Sequence, residues 1–318
     1  MAKNAVLPRT HDLPNEHKLQ AQFALAAFST LKAENIAYIS VPITSGPRLY
    51  DYMDAKGFKT ADEAKADHDA FFRNVVEPNL AQGVAGANEW VAKLDGAVIA
   101  PAEFEKRLRI QKAISWGQDA FMGMWVPLID EKVTHMVMLD GWQYSNGSGE
   151  EYLQAVLMQM GRRPRSNIEI VDGKGNEISL SQGIKLIADA FVEITGRGMK
   201  PRNMAETIAI LLEAEHRFAI EQKTGSVAEP PATSPGALSK HTEFNVSPYD
   251  RAVIEKCAKE VRDILVRDYP DILPKLQKTS SFDFSPINAL FREVAKPIVG
   301  AMQFPRPPQK KPPLALVK

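Results

Sequence analysis

Apolar and polar positions along residues 35–172 follow two alternating periods, one typical of buried strands and one typical of helices. Short, β-branched apolar runs predict strands at 35–41, 96–100, 133–139 and 167–171. Helical spacing of apolar residues predicts helices at 61–82, 85–94 and 150–161, and one or two helices within 103–129. Strands that alternate with helices are the signature of a mainly parallel sheet covered on both faces. We therefore predict an α/β fold with a doubly wound parallel sheet of about five strands.

The regions on either side of this α/β block have a different character. One helical stripe of apolar residues (Leu19, Phe23, Ala27 and Leu31) covers 15–34, and helices dominate beyond residue 172. A stretch rich in Pro, Gly, Ser and Thr predicts a flexible linker, and a Pro/Lys-rich end predicts a disordered tail. The predicted units are an N-terminal arm and helix (1–34), an α/β domain (35–172), a helical extension (173–223), a linker (224–246), a C-terminal helical region (247–304) and a disordered tail (305–318).

Residues 133–161 contain the main candidate site. A predicted buried strand leads into a loop of Gly, Ser and Asp, and the loop leads into a helix. In parallel α/β folds such a loop lies at the carboxyl edge of the sheet, where ligands bind. Glu150 and Glu151 are predicted in the first turn of the helix, where its dipole favours the ionised carboxylate that a nucleophile requires. The alternative is that these acidic residues only cap the helix.

A second loop follows the first predicted strand. Thr44, Ser45 and Gly46 offer hydroxyls and backbone amides, and Arg48 offers a guanidinium, so this loop could hold a phosphate. Neither a Walker sequence nor a Gly-x-Gly-x-x-Gly sequence is present. The alternative is an ordinary β–α loop with a surface arginine.

Composition narrows the class of protein. The 318 residues include 39 Lys and Arg and 39 Asp and Glu, and the zero net charge argues against a general nucleic-acid binder. The single cysteine, Cys257, lies on the apolar face of a predicted helix and is expected to be a buried structural thiol in a reducing compartment. There is no signal-peptide pattern, no apolar run of bilayer length, no His-x-x-x-His and no paired Cys. We expect a cytoplasmic protein that binds neither membrane nor nucleic-acid polymer and uses no metal or cofactor.

Several of these residues occur in an order known from one family. Over about residues 35–172 the chain resembles the nucleoside 2-deoxyribosyltransferase superfamily, most specifically over 145–155. The residues that carry the resemblance are Tyr38-Ile-Ser-Val-Pro42, Asp119, Leu139-Asp-Gly-Trp142, Ser145-Asn-Gly147, Gly149, Glu151 and Ala155. The resemblance implies a flavodoxin-like fold and active sites that are completed across a homodimer.

The resemblance also implies roles for individual residues. Glu151 is the expected nucleophile at the anomeric carbon, Asp119 assists the departing base, and Tyr38 aligns the nucleophile. Transferases that use free nucleosides carry an aspartate at the position of Ser145. The 2'-deoxynucleoside 5'-monophosphate N-hydrolases carry a serine there, as this chain does, and that serine helps to bind the phosphate. A carboxylate would repel a phosphate that a hydroxyl can bind. The other expected substrate-binding or phosphate-binding residues are Ser45, Gly46, Arg48, Trp142, Gly147 and Gly149.

Two classes of function follow from these residues. The first is an enzyme that cleaves or transfers the N-glycosidic bond of a nucleoside 5'-monophosphate through a glutamate nucleophile and a glycosyl-enzyme intermediate. The second is a nucleotide-sensing or scaffold protein that keeps the fold without turnover. The chain departs from the family pattern at Val41, where a glycine is usual, and in the longer spacing from Asp119 to Glu151. The expected ligand is a small nucleotide or nucleoside, and the expected assembly is a homodimer, which the apolar N-terminal helix also favours.

Overall fold

A parallel β-sheet forms the centre of the molecule. The computed structural model describes residues 24–110, 118–159, 168–201, 203–212 and 248–272. The strands are β1 (Ile36–Ser40), β2 (Ala97–Ile99), β3 (His135–Met138) and β4 (Glu169–Asp172). They all pair in parallel, in the order β2-β1-β3-β4. The protein therefore has an α/β fold in which helices flank an all-parallel sheet.

The strand order places a topological switch point next to β1, where the order of the strands reverses. β2 lies on one side of β1, and β3 and then β4 lie on the other side, as at the start of the doubly wound order 2-1-3-4-5. About five strands were expected, and the described residues form four, each overlapping one of the predicted apolar runs. β1 and β3 are neighbours, with Ser40 opposite Met138. Open sheets of this kind bind ligands outside the carboxyl ends of the strands at such a switch point.

Helices connect and flank the strands. In chain order they are α1 (24–29), α2 (Pro47–Lys56), α3 (Ala61–Ala66), α4 (His68–Phe71), α5 (Glu77–Lys93), α6 (Pro101–Ile110), α7 (Gln118–Lys132), α8 (Asn146–Gln159), α9 (Leu180–Gly196), α10 (203–212) and α11 (Pro248–Asp268). A π-helical turn (Phe72–Val76) joins α4 to α5, and a 3₁₀ turn (Trp142–Tyr144) precedes α8. The single helix predicted over 61–82 is broken at Asp67, whose extended backbone and side chain cap α4.

Different helices cover the two faces of the sheet. Because side chains alternate along a strand, Tyr38 and Ser40 point to one face and Val41 to the other. On the first face the Tyr38 ring packs edge-on against Trp125 of α7, with ring centroids 5.8 Å apart. On the second face lies α5, where a Cβ at Gly83 would lie 2.8 Å from Cγ1 of Val41. The lack of a side chain at Gly83 therefore allows α5 to approach the end of β1 closely.

The segment after β4 is a tight turn followed by a capped helix. The Asp172 carboxylate accepts a hydrogen bond from the backbone amide of Asn176 at 2.9 Å, which closes the turn. The Ser179 hydroxyl then accepts a bond from the Gln182 amide, and the Gln182 side chain accepts one from the Ser179 amide. This reciprocal pair makes Ser179 the cap of α9, and Ser181 lies in the first turn of the helix.

Buried apolar residues of the sheet, α9, α10 and α11 form one contiguous core. α11 packs on α9, where the ring centroids of Phe191 and Tyr269 lie 6.2 Å apart. Cys257 of α11 is buried, as expected for a structural thiol, and burial raises the pKa of that thiol. Among the described helices, none has both the length and the apolar character needed to cross a membrane.

The first described helix packs on this same core. Its apolar side chains and those of the turn after it contact the core of their own chain, namely Ala24, Leu25, Phe28 and Leu31. The Phe28 ring centroid lies 5.9 Å from that of Trp125. Ala27, which we placed on the apolar stripe, is exposed because the side of the helix that faces the core carries Ala24, Leu25 and Phe28. Leu19 and Phe23 of the predicted stripe lie outside the described residues.

Gly183 tests the packing of α9 on α8. A Cβ built at Gly183 would lie 1.9 Å from the hydroxyl oxygen of Tyr152, which is fully buried. Gly183→Ala should therefore lower the free energy of unfolding by about 1–3 kcal/mol, the usual cost of overpacking a core. Gly196→Ala in the same helix is the control, because apart from the adjoining helix backbone no described atom lies within 4 Å of its Cβ position. Urea denaturation measures both variants, and equal stabilities would contradict the packing.

Candidate functional site

Glu151 is a buried carboxylate held by two hydroxyl groups. It lies on α8 with 7% of its surface exposed. The Tyr38 hydroxyl donates a hydrogen bond to Oε1, and the Ser40 hydroxyl donates one to Oε2, both at 2.5 Å. Both donors belong to β1, so strand and helix are joined at this carboxylate. The Glu151 side chain also lines a cavity, where a small molecule can reach it.

Strand geometry explains why Tyr38 and Ser40 act together. Residues two apart in a strand point to the same face, and both side chains therefore reach α8. From the sequence we predicted only Tyr38. The available signal for Ser40 was a serine within an otherwise apolar strand, because a buried hydroxyl needs a hydrogen-bond partner.

Burial controls the charge of Glu151. Loss of water raises its pKa to about 7, although the hydrogen bonds from Ser40 and Tyr38 act in the opposite direction. The charge of Glu105 raises the pKa of Glu151 further. Burial, together with the charge of Glu151, raises the pKa of Tyr38 well above its usual value, so that hydroxyl stays protonated and can donate. Near neutral pH, Glu151 is divided between its neutral and ionised forms.

The start of α8 differs from the prediction. Glu150 and Glu151 were expected in the first turn, but the helix begins at Asn146 and Glu151 is its sixth residue. The Gly/Ser run joins the helix because Ser145 caps it, accepting a hydrogen bond from the Ser148 amide at 3.3 Å. The helix dipole acts mainly within the first turn. Burial, and not the dipole, therefore governs the ionisation of Glu151.

A cavity of about 800 Å³ adjoins Glu151 at the carboxyl edge of the sheet. Its walls include Val41 and residues 43–45 after β1, the beginnings of α6 and α8, and residues around the end of α9. Of the predicted binding residues, Ser45, Ser145 and Gly147 line this cavity together with Glu151. The volume lies within the range of about 300–1,000 Å³ that is usual for small-molecule sites.

Arg48 is not among the residues that line the cavity. Its guanidinium donates hydrogen bonds to Asn79 at 2.7 Å and to Gln82 at 2.6 Å, both on α5. Asn79 in turn donates to the carbonyl oxygens of Ile43 and Ser45, each at 3.0 Å. The structure therefore places Arg48 behind the loop after β1, where it supports that loop.

Three more of the predicted binding residues serve packing. Gly46 has a φ of 87°, and a Cβ there would lie 2.8 Å from Cβ of Pro42. Trp142 is buried against Tyr152, with ring centroids 4.8 Å apart. Gly149 is buried within α8. None of these three described residues lines the cavity, so their contribution is to the shape of the loops and helix around it.

A second carboxylate, Glu105, shares the cavity with Glu151. It lies on α6 and is buried. Besides burial, its charge contributes to the raised pKa values of Glu151 and Tyr38. Asp119, the second carboxylate predicted from the sequence, lies on α7, and its side chain falls outside the described part of the structure. The signal for Glu105 in the sequence was its place on the helix after β2, which begins at the carboxyl edge of the sheet.

Residues 198–201, which follow α9, line the cavity, and we did not predict this part of the site. Tyr50 and Tyr144 line the cavity with ring centroids 5.9 Å apart, and the Arg197 guanidinium lies 5.6 Å from the Tyr50 ring. Tyr144 donates a hydrogen bond to Glu193 at 2.5 Å. Arg197 donates one to Asp54 of α2 at 2.7 Å. Burial and the contact with Glu193 raise the pKa of Tyr144 to about 12, so this hydroxyl stays a donor.

No known protein family, curated protein or solved structure matches this chain. Within the described ranges, no group of three His, Cys, Asp or Glu side chains could hold a metal ion. The chemistry of the site follows from its own side chains. They combine two buried carboxylates, hydroxyl donors and a cavity large enough for a small molecule.

The raised pKa of Glu151 predicts a pH-dependent stability. The folded protein keeps a proton on Glu151 up to about pH 7, whereas the unfolded chain releases it near 4.5. The folded state therefore binds more protons in this window, and the free energy of unfolding should fall as pH rises through it. Glu151→Gln removes this titration. As pH rises from 4.5 to about 7, the free energy of unfolding of the wild type should fall by up to about 3 kcal/mol relative to that of the variant.

Urea denaturation at several pH values across this window measures the difference. Glu89→Gln is the control, because Glu89 is exposed on α5 and does not line the cavity. This control should keep the pH dependence of the wild type. If all three proteins show the same dependence, Glu151 does not titrate in the window.

Proposed function

We propose that this protein cleaves or transfers the N-glycosidic bond of a nucleoside 5'-monophosphate, with Glu151 as the nucleophile. The proposal depends chiefly on one observation, the buried Glu151 carboxylate held by Tyr38 and Ser40 at the wall of a cavity. The contact between Tyr38 and Glu151 supports the roles implied by the resemblance to the nucleoside 2-deoxyribosyltransferase superfamily. The strand order supports the flavodoxin-like fold that the same resemblance implies.

In the proposed reaction an ionised oxygen of Glu151 attacks the anomeric carbon of the sugar. A carbon–oxygen bond forms while the N-glycosidic bond breaks, and the electron pair of the broken bond leaves with the base. The result is a glycosyl ester of Glu151, which water resolves in hydrolysis and a second base resolves in transfer. The hydroxyls of Tyr38 and Ser40 hold the carboxylate in one orientation, which favours attack.

The departing base requires a proton. Glu105 is buried beside the same cavity, and we assign it the role of proton donor. Two carboxylates in one site favour unequal protonation, so one can act as an acid while the other acts as a nucleophile. Asp119, which we predicted for this step from the sequence, remains a prediction because its side chain is not described.

Other groups of the cavity suit the remaining parts of a nucleotide. The N-terminal end of α8 brings Ser145, Gly147 and Ser148 to the cavity, where amides and hydroxyls can bind sugar or phosphate oxygens. Tyr50 and Tyr144 line the same cavity and offer aromatic surface for a base. These contacts support a nucleotide-sized ligand for either turnover or binding.

Glu151→Gln should abolish release of free base, because an amide does not form the glycosyl ester. Chromatography of nucleoside and deoxynucleoside 5'-monophosphates incubated with each protein measures the release. Glu150→Gln is the control and should change turnover by no more than about tenfold, a barrier change of about 1.4 kcal/mol. A reversed result would contradict Glu151 as the nucleophile. Ligand binding by the wild type without base release would favour the nucleotide-sensing or scaffold function instead.

The pH profile of the same reaction gives a second measurement. Because Glu151 attacks as a carboxylate and its pKa is raised to about 7, kcat/KM should rise with pH through that value. A profile that stays flat across this range would contradict attack by a carboxylate with a raised pKa.

We also propose a homodimer, on the strength of the family resemblance. The apolar residues of α1 and its following turn that the structure describes pack within their own chain, so they add little support for an interface. Light scattering at micromolar concentration should give about twice the chain mass of 35.2 kDa. A monodisperse monomer would contradict the dimer.

A further inference from the structure

Three exposed lysines surround the outer part of the cavity. Lys59 precedes α3, Lys65 lies on α3 and Lys200 follows α9, and all three line the cavity. We call these three residues the lysine rim. They come from two segments that are distant in sequence, so the fold brings them together. Glu105 and Glu151 are buried in the same cavity, which is therefore acidic at its buried end and basic at its exposed end.

In α3 a basic residue lines the cavity and the acidic residues do not. Ala61 and Lys65, one turn apart, line the cavity, whereas Asp62 and Glu63 do not. The Glu63 carboxylate instead accepts a hydrogen bond from the Lys59 backbone amide at 2.8 Å, at the start of the helix. The acidic residues of this segment are therefore not paired with the lysines on the cavity side.

The ammonium groups of the rim have no ion-pair partner among the residues that the structure describes. The pKa of Asp268 on α11 is lowered chiefly by Arg267, and Lys200 adds to this effect. Asp268 is paired with Arg267 at 2.8 Å. Arg48, by contrast, already donates to two side-chain amides of α5. The rim therefore offers positive charge to a ligand where Arg48 does not.

We propose that the lysine rim binds the phosphate oxygens of the substrate while the sugar lies at Glu151. This inference rests on the proposed function and identifies what recognises the phosphate. Ammonium groups on flexible stems suit an anion with several equivalent oxygens, because each group adds a charge-assisted hydrogen bond without demanding a planar fork. A single phosphate carries a charge of about −1.5 to −2. Three lysines therefore carry enough positive charge to neutralise the single phosphate of the proposed substrate, and also enough to hold part of a longer phosphate chain.

Titration calorimetry of the full chain with inorganic phosphate and with inorganic tripolyphosphate tests the rim without assuming a base. The variant is Lys59→Ala/Lys65→Ala/Lys200→Ala. The control is Lys56→Ala/Lys93→Ala/Lys174→Ala, which removes the same charge from exposed positions that do not line the cavity. We expect the wild type to bind at least one anion with a Kd below about 1 mM. The rim variant should bind it at least about tenfold more weakly, and the control should stay within about threefold.

The two anions distinguish a site for a polyphosphate chain from a site for a single phosphate. Tighter binding of tripolyphosphate assigns the rim to a polyphosphate chain, and equal binding assigns it to a monophosphate, and both results support the rim. Absence of binding to the wild type, or an equal loss in the control variant, would overturn it. Base release measured in parallel tests the proposed function separately. Rim-dependent anion binding without base release would leave the rim in place and refute the reaction.

Discussion

The candidate site depends on the two hydrogen bonds that join Tyr38 and Ser40 of β1 to Glu151 of α8. A carboxylate removed from water is costly unless polar groups compensate for the lost hydration. Here the compensation comes from two hydroxyls that a strand necessarily presents on the same face. A shift of β1 by one residue would turn both away and leave the carboxylate without them. The same two hydrogen bonds therefore fix the position of α8 on the sheet and hold the carboxylate of the site.

Contacts outside the cavity hold its walls in place. Arg48, Asn79 and Gln82 connect the loop after β1 to α5, and Gln82 also donates to the Asp140 carbonyl in the loop after β3, at 3.0 Å. On the other side, Arg197 joins the end of α9 to α2 through Asp54. These polar contacts span elements that are far apart in the chain. They give the switch point a defined shape that a ligand does not have to create, which lowers the cost of ordering on binding.

Burial gives Glu151 a charge state suited to the proposed chemistry. A pKa of about 7 leaves much of the group ionised near neutral pH while making the carboxylate more basic than an exposed one. The same desolvation makes any interaction inside the cavity stronger than it would be in water. A buried acidic end and an exposed basic end would also orient a substrate that has an electron-poor sugar carbon and an anionic phosphate.

The sequence by itself determined the strand–helix alternation, because the two periods are local properties of neighbouring residues. It also pointed to Tyr38 and Glu151, which tertiary structure brings together across more than a hundred residues. Only the tertiary structure decided the role of Arg48, because Asn79 and Gln82 compete for its guanidinium. The ionisation of Glu151 and the meeting of lysines from α3 and α9 were likewise decided there. Burial, desolvation and long-range neighbours arise only when distant segments pack, and no local pattern contains them.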